Sequence, residues 1–389
     1  MSTARVRGWC PGALTPMLSG DGYVLRVRPR GGRLSANEAR ALAALAARHG
    51  SGTLEITQRA NLQIRGISAA ALPALQQGLA AAGLVDDDAG VEARRNVVVS
   101  PFDDDGTAAP LARALEAALG ATGWPPLPSK FGFAVDAGPA GRRIAAASGD
   151  VRIERCAAGI LVRADGARAG RPVPDAAAAV ALARALAEWF AASGGIGADG
   201  RGRMARHLAR GAVLPPDLAG DAVPDPALSP VPPGPGAGGL SLGAAFGLLR
   251  AERLAGIADR LDDAPLCVTP FRTLFVPGAG DRLQDFAAPD LVTASGDPRL
   301  RVVACTGAPG CPQAEGATRP LAAALAARVP EGALWHVSGC AKGCANPRPA
   351  DVTAVARGGR YDLVMGGAPW EEPSRRGLSA AEIEEALGT

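Results

Sequence analysis

The chain has 389 residues, 48% of them apolar and 20% charged, with a formal net charge of +3. That length exceeds one ordinary core and predicts two or more domains, while so small a charge argues against nucleic acid and suits an acidic small-molecule substrate. The opening "MSTARVRGWCPG" lacks the apolar run of a secretory signal, and seven cysteines in such a chain point to a reducing cytoplasm and to metal before disulfides.

In chain order, "YVLRVR" (23–28) reads as a strand, and "SANE" (35–38) is a capping box opening a helix through about His49. "TLEIT" and "LQIRG" follow as a strand pair. "RNVVVSP" (95–101) is a further strand, with alternation sending Arg94 and Arg95 to opposite faces and favouring Arg95 for the one that lines a cleft. An Ala-rich helix runs from Leu111, and "DVRIERCAAGILVRADG" (150–166) carries more strand pattern. The most apolar helical stretch, 176–192, is interrupted by Arg184 and Glu188 and reads as amphipathic, so no membrane span is expected. "GGIGADGRG" (194–202) follows a helix and reads as a loop, not a dinucleotide fingerprint. Residues 215–239 hold eight prolines and read as a linker.

Beyond it the pattern repeats: "GLLRAERLAGIADRL" (247–261) as a helix, then "LCVT" and "TLFVPG" as a strand pair. "RVVACTG" (301–307) stands opposite "RNVVVSP", a helix from Leu321 opposite that from Leu111, and "ADVTAVARGGRYDLVMGG" (350–367) opposite residues 150–166. Four blocks in the same order predict an α+β fold built by internal duplication, each half a βαββ unit followed by an α/β module.

Four cysteines stand out in the second half: Cys305 and Cys311 in "CTGAPGC", Cys340 and Cys344 in "CAKGC". Structural zinc pairs use tighter spacing than the first of these. The surrounding glycines suit an iron–sulfur cube, whose sulfurs take backbone N–H groups, although zinc and unliganded thiols stay open on spacing alone. Cys156 and Cys267 sit in strand patterns and are expected in the core. Of 41 basic residues only Lys130 and Lys342 are lysines, in "LPSKFGF" and "CAKGC".

C-x5-C followed by C-x3-C resembles the cluster signature of the sulfite and nitrite reductase family, itself an internal duplication. "TQRANLQIRG" (57–66), "RRNVVVSP" (94–101) and "LPSKFGF" (127–133) resemble that family's two arginine segments and its lysine segment. The resemblance implies a pseudo-twofold fold of the sulfite/nitrite reductase type. Its parts would be a ferredoxin-like half-domain (1–82), an α/β module (83–214), the linker (215–239), a second half-domain (240–290) and a cluster-bearing module (291–389). It implies Arg59, Arg95 and Lys130 as anion-binding catalytic residues, and Asn61, Gln63 and Arg65 on a strand edge facing a tetrapyrrole. It implies Cys305, Cys311, Cys340 and Cys344 as ligands of a 4Fe-4S cluster, Cys344 also bridging to a second iron centre. That centre is left open between sirohaem, another haem and non-haem iron; His207 and His336 are expected to be packed or surface residues, not iron ligands.

The sequence departs from the reductases where Gly132 stands two places after the lysine, which weakens a sulfite or nitrite site and is expected to leave room for a bulkier substrate. "CPG…PM…GDG" at the N-terminus resembles the precorrin-3B synthase branch of the family, with Cys10 a candidate functional thiol. That branch implies O₂-dependent hydroxylation of precorrin-3A at C20 with closure of a γ-lactone, in aerobic cobalamin biosynthesis. A cytoplasmic enzyme is expected, taking electrons from NAD(P)H through a separate reductase. The alternatives are a sirohaem-dependent sulfite or nitrite reductase and a non-catalytic module stabilised by a metal on its four cysteines.

Overall fold

A computed structural model describes residues 11–103 and 106–388. Cys10 lies outside them. The expected duplication is plain in the sheets. The first runs Met17–Ser19, Gly22–Val27, Leu62–Ile67, Thr53–Ile56 and Leu248–Arg250; the third runs Gly234–Gly236, Gly239–Ala244, Thr273–Pro277, Leu266–Val268 and Arg33–Leu34. Each is therefore completed by a strand from the other half. Leu249 pairs with Leu54, and Leu266 with Leu34.

The exchange explains one difference from the sequence reading. Leu248–Arg250 continues the helical period of Ala251–Ala258, but the chain is extended there and the helix starts later. Both crossovers follow a short 3-10 turn holding left-handed residues: Gly31 and Gly32 in the first (φ 59° and 70°), Phe246 and Gly247 in the second (57° and 72°).

The capping box forms as expected, Ser35 and Glu38 each satisfying the other's backbone N–H at the start of helix Ala36–His49. That helix packs on Ala251–Ala258, its counterpart. Leu25, Leu42, Leu54 and Leu62 from one half share a core with Leu240, Leu254 and Leu274 from the other. A half-domain of this size buries too little apolar surface alone; each fully buried leucine here contributes about 1.5–3 kcal/mol, and the shared core doubles their number.

The second sheet, order Arg171–Val173, Gly159–Ala164, Val151–Cys156, Phe133–Asp136, Val97–Val99, and the fourth, Val302–Ala304, Trp335–Ser338, Ala350–Arg357, Arg360–Gly367, Arg375–Leu378, repeat one plan with separate cores. In each, two parallel pairings are followed by antiparallel ones. The apolar stretch 176–192 is the helix Ala176–Ala192, with Leu182, Leu186 and Phe190 buried on the second sheet. Cys156 and Cys267 are buried as expected. The proline-rich residues are docked along the molecule: Ala222 bridges Gly170, Ala227 bridges Arg142, and Val231 packs with Phe102 and Phe275. Among the described residues no helix is long and apolar enough to cross a membrane.

Candidate active site

Period-two alternation sends Leu62 and Ile64 into the shared core and Asn61, Gln63 and Arg65 to the opposite face of the first sheet. Their strand is the central one of five, not an edge. Across from it, Arg26 is paired with Gln63 and donates to its amide oxygen (3.2 Å), and Glu55 accepts from Gln63 Nε2 (2.7 Å). Arg28 extends the same face, its Nη1 lying 3.5 Å from Glu92. Glu92 also accepts from the backbone N–H of Ala13 and Leu14, and a Cβ at Gly12 would strike its carboxylate. The glycine of "CPG" is there so that the N-terminal segment can lie against this face.

The fourth sheet supplies the cysteines. Cys305 follows Val302–Ala304 and Cys340 follows Trp335–Ser338, adjacent parallel strands, so both loops leave the same end of the sheet. Gly307 is left-handed (φ 69°), and Gly339 N–H donates to Cys305 Sγ at 3.2 Å. Burial pushes the Cys340 and Cys344 thiols up, Lys342 opposes this, and the other cysteine sulfurs add to it. Among the described residues, no three His, Cys, Asp or Glu side chains close on a point as one metal ion requires. Four thiols in two loops leaving one end of the sheet, with the Gly339 N–H on Cys305 Sγ, are compatible with the ligand set of a cluster.

Two polar links join these loops to the first sheet. Thr306 Oγ1 donates to Glu55 (3.1 Å), as does Arg319 Nη2. Burial would raise the Glu55 carboxyl, but Arg319 and Arg65 together hold it below its ordinary value. Arg65 is clasped by Asp21, donating from Nε (3.0 Å) and Nη2 (2.9 Å), and donates to the carbonyl of Gly310 beside Cys311. Ser19 Oγ and Gly20 N–H converge on that carbonyl too. Arg272, at the turn matching that of Arg59 in the other half, is depressed by burial and by Arg319; Glu55 and Cys305 oppose the shift, so its charge sits near Cys305.

The remaining residues separate into two groups. Arg59 Nη2 donates to the Lys130 carbonyl (2.9 Å) and reaches Ser148 Oγ (3.5 Å), bringing Arg59 and the exposed Lys130 together. Asn61, on the next strand, has no side-chain hydrogen bond among the described residues. Arg95 differs from expectation. It is the residue capping the short helix Ala89–Arg94, not part of a strand, and its guanidinium is buried. It makes paired bonds to Asp86 (2.9 and 3.0 Å), one to the Arg28 carbonyl and one to Glu116. This is a structural ion pair. Gly132 differs as well: a Cβ there would lie 2.9 Å from the Asn96 carbonyl, so its small size serves packing and opens no room. His336 is buried and packed, and His207 bonds Ser193 at 2.8 Å.

Sequence reasoning missed Arg26, Arg28, Glu55, Arg272 and Arg319. The signal for the first two was present, since "LRVR" alternates, but only the pairing with Gln63 and Asn61's strand shows which face they line.

The Nitrite/Sulfite reductase ferredoxin-like half domain family matches residues 15–82. A protein from Sinorhizobium sp named Precorrin-3B synthase is 31% identical, the alignment covering 95% of this chain and 84% of that protein. Among solved structures, the NirA protein of Mycobacterium tuberculosis superposes with a TM-score of 0.68 at 18% identity, covering 94% of this chain and 79% of that one.

Proposed function

The chain belongs to the precorrin-3B synthase family, and from that premise we propose that it catalyses the O₂-dependent hydroxylation of precorrin-3A at C20, with a ring-A acetate closing a γ-lactone, in cytoplasmic cobalamin biosynthesis. The observation that carries this reading is the polar, arginine-bearing face of the first sheet joined to the cysteine loops through Glu55 and Arg65.

A modified uroporphyrinoid carries several carboxylate arms, and guanidinium groups bind such arms in paired, oriented hydrogen bonds. Arg59 and Lys130 provide cations at one end of the face, and Asn61 an uncommitted amide to orient the ring. Arg65 and Glu55 fix the distance between this face and the cysteine loops, and Arg95 braces the fold beneath. Cys305, Cys311, Cys340 and Cys344 would hold a 4Fe-4S cluster, which when bound supplies single electrons. Cys344, the exposed one of the four, would also serve a second iron centre, haem or non-haem. Electrons would come from NAD(P)H through a separate reductase.

The test is incubation of anaerobically reconstituted protein with precorrin-3A, a reductant and O₂, followed by product mass. A gain of one oxygen atom is expected. Unchanged precorrin-3A together with anaerobic consumption of sulfite or nitrite would instead make it a reductase. One zinc per chain and no chromophore would make it a scaffold.

A further inference from the structure

The Gly-rich residues 194–202, which read only as a loop, form one wall of a cavity of about 470 Å³. Lys130, Arg201, Arg203, Arg206, His207 and Arg210 line it, against a single acid, Asp199. Arg201 already pairs with Asp199 at 3.6 Å. Among the described residues no carboxylate pairs with Lys130, Arg206 or Arg210.

The wall is built, not incidental. Gly197 N–H donates to the Arg201 carbonyl (2.7 Å) and Gly200 N–H to that of Gly197 (2.9 Å), closing a tight turn that needs the left-handed Gly200 (φ 71°). Arg203 is held by the fully buried Asp150, Nε to Oδ1 at 2.9 Å, and donates to Ser148 Oγ at 2.9 Å. Ser148 is the hydroxyl that Arg59 also reaches, so the cavity is tied to the cationic end of the proposed active site. His207 stands against Trp189, ring centroids 5.4 Å apart, and bonds Ser193. Like charges gathered around a rigid hollow repel one another until an anion enters.

We propose that this cavity is a carboxylate-binding site which receives an acetate or propionate arm of the macrocycle while the ring lies on the first sheet. Naming the anion rests on the proposed tetrapyrrole substrate; the site itself rests on the cavity and its cations. Its role is specificity: it would distinguish substrates by whether a carboxylate arm projects at this position.

Fluorescence-quenching titration of the purified holoprotein with uroporphyrin III, and separately with citrate, tests this. The Arg206→Gln/Arg210→Gln variant is expected to bind uroporphyrin III at least tenfold more weakly, with a shallower salt dependence. Its iron content should be unchanged and its thermal midpoint no lower, because neither side chain has a structural partner among the described residues and their mutual repulsion is removed. Equal affinity in variant and parent, or binding of neither probe, overturns the site. If the parent binds citrate but not uroporphyrin III, and the variant loses citrate, the anion site stands and the tetrapyrrole reading falls.

Discussion

Arg65 on the first sheet donates to the carbonyl of Gly310, so the residue preceding Cys311 is held from the opposite half of the molecule. Ser19 and Gly20 bond the same oxygen, and Asp21 keeps the guanidinium aimed. The arginine expected to touch the tetrapyrrole is thereby engaged in placing a cysteine loop. Replacing Arg65 by Met removes the clasp without an extra polar group. Outer-shell losses of this kind weaken metal retention about tenfold. Iron release to a chelator, followed by absorbance, should accelerate correspondingly; unchanged release would show that Ser19 and Gly20 suffice.

Arg95 and Lys130 should respond in opposite ways. Asp86 is buried, and Arg95→Met leaves it only the half-exposed Arg30 at 3.2 Å among the described residues, a loss on the order of 3 kcal/mol visible in denaturant unfolding. Lys130 is exposed, so Lys130→Ala should alter stability by no more than about 0.5 kcal/mol. It should raise KM for the tetrapyrrole instead. A stable Arg95→Met protein with raised KM would return that residue to the binding site.

His336 supplies a pH dependence. Both ring nitrogens are buried without partners among the described residues, and burial followed by the nearby Arg272 pushes its pKa down to about 4. The unfolded chain takes up the proton near pH 6.5, the folded chain only near 4. The stability it contributes is full above the higher value and is lost as pH falls through this window, about 3 kcal/mol in all. His336→Leu should flatten the thermal midpoint between these pH values relative to the parent. Parallel curves for the two proteins would refute the assignment.

Gly132→Lys, which places a second cation two positions after Lys130, should fail to create sulfite or nitrite turnover. The new Cβ meets the Asn96 carbonyl at 2.9 Å, and the Gly132 N–H is committed to Asp150 (3.0 Å). Overpacking of this sort costs about 1–3 kcal/mol, read as a lowered unfolding midpoint.

The legible parts of this chain were those governed by neighbours in sequence. Ser35 and Glu38 announce their helix because a capping box is complete within four residues. Leu62 and Ile64 announce a core face because alternation is local, and the cysteine loops show in their own spacing. The strand exchange was not legible. Arg33–Leu34 is two residues long, and Leu248–Arg250 has the apolar spacing of the helix it precedes. Arg95 was misplaced for a related reason: alternation was extended back through Asn96, where the chain is leaving a helix, and nothing nearby marks Asp86 as its partner. Arg319 and Arg272 lie far along the chain from Glu55, and only the folded topology assembles that group.

Because Leu248–Arg250 belongs to the sheet of residues 17–67, and Arg33–Leu34 to the sheet of residues 234–277, the molecule cannot be dissected at its proline-rich connection. Either fragment would present a raw strand edge where its borrowed strand should lie, and such edges pair with whatever β-structure they meet. A single unit of this kind could close its open edge only by pairing with a second copy. The traded strands hold the half bearing Arg59 and Lys130 in fixed register with the half bearing the four cysteines.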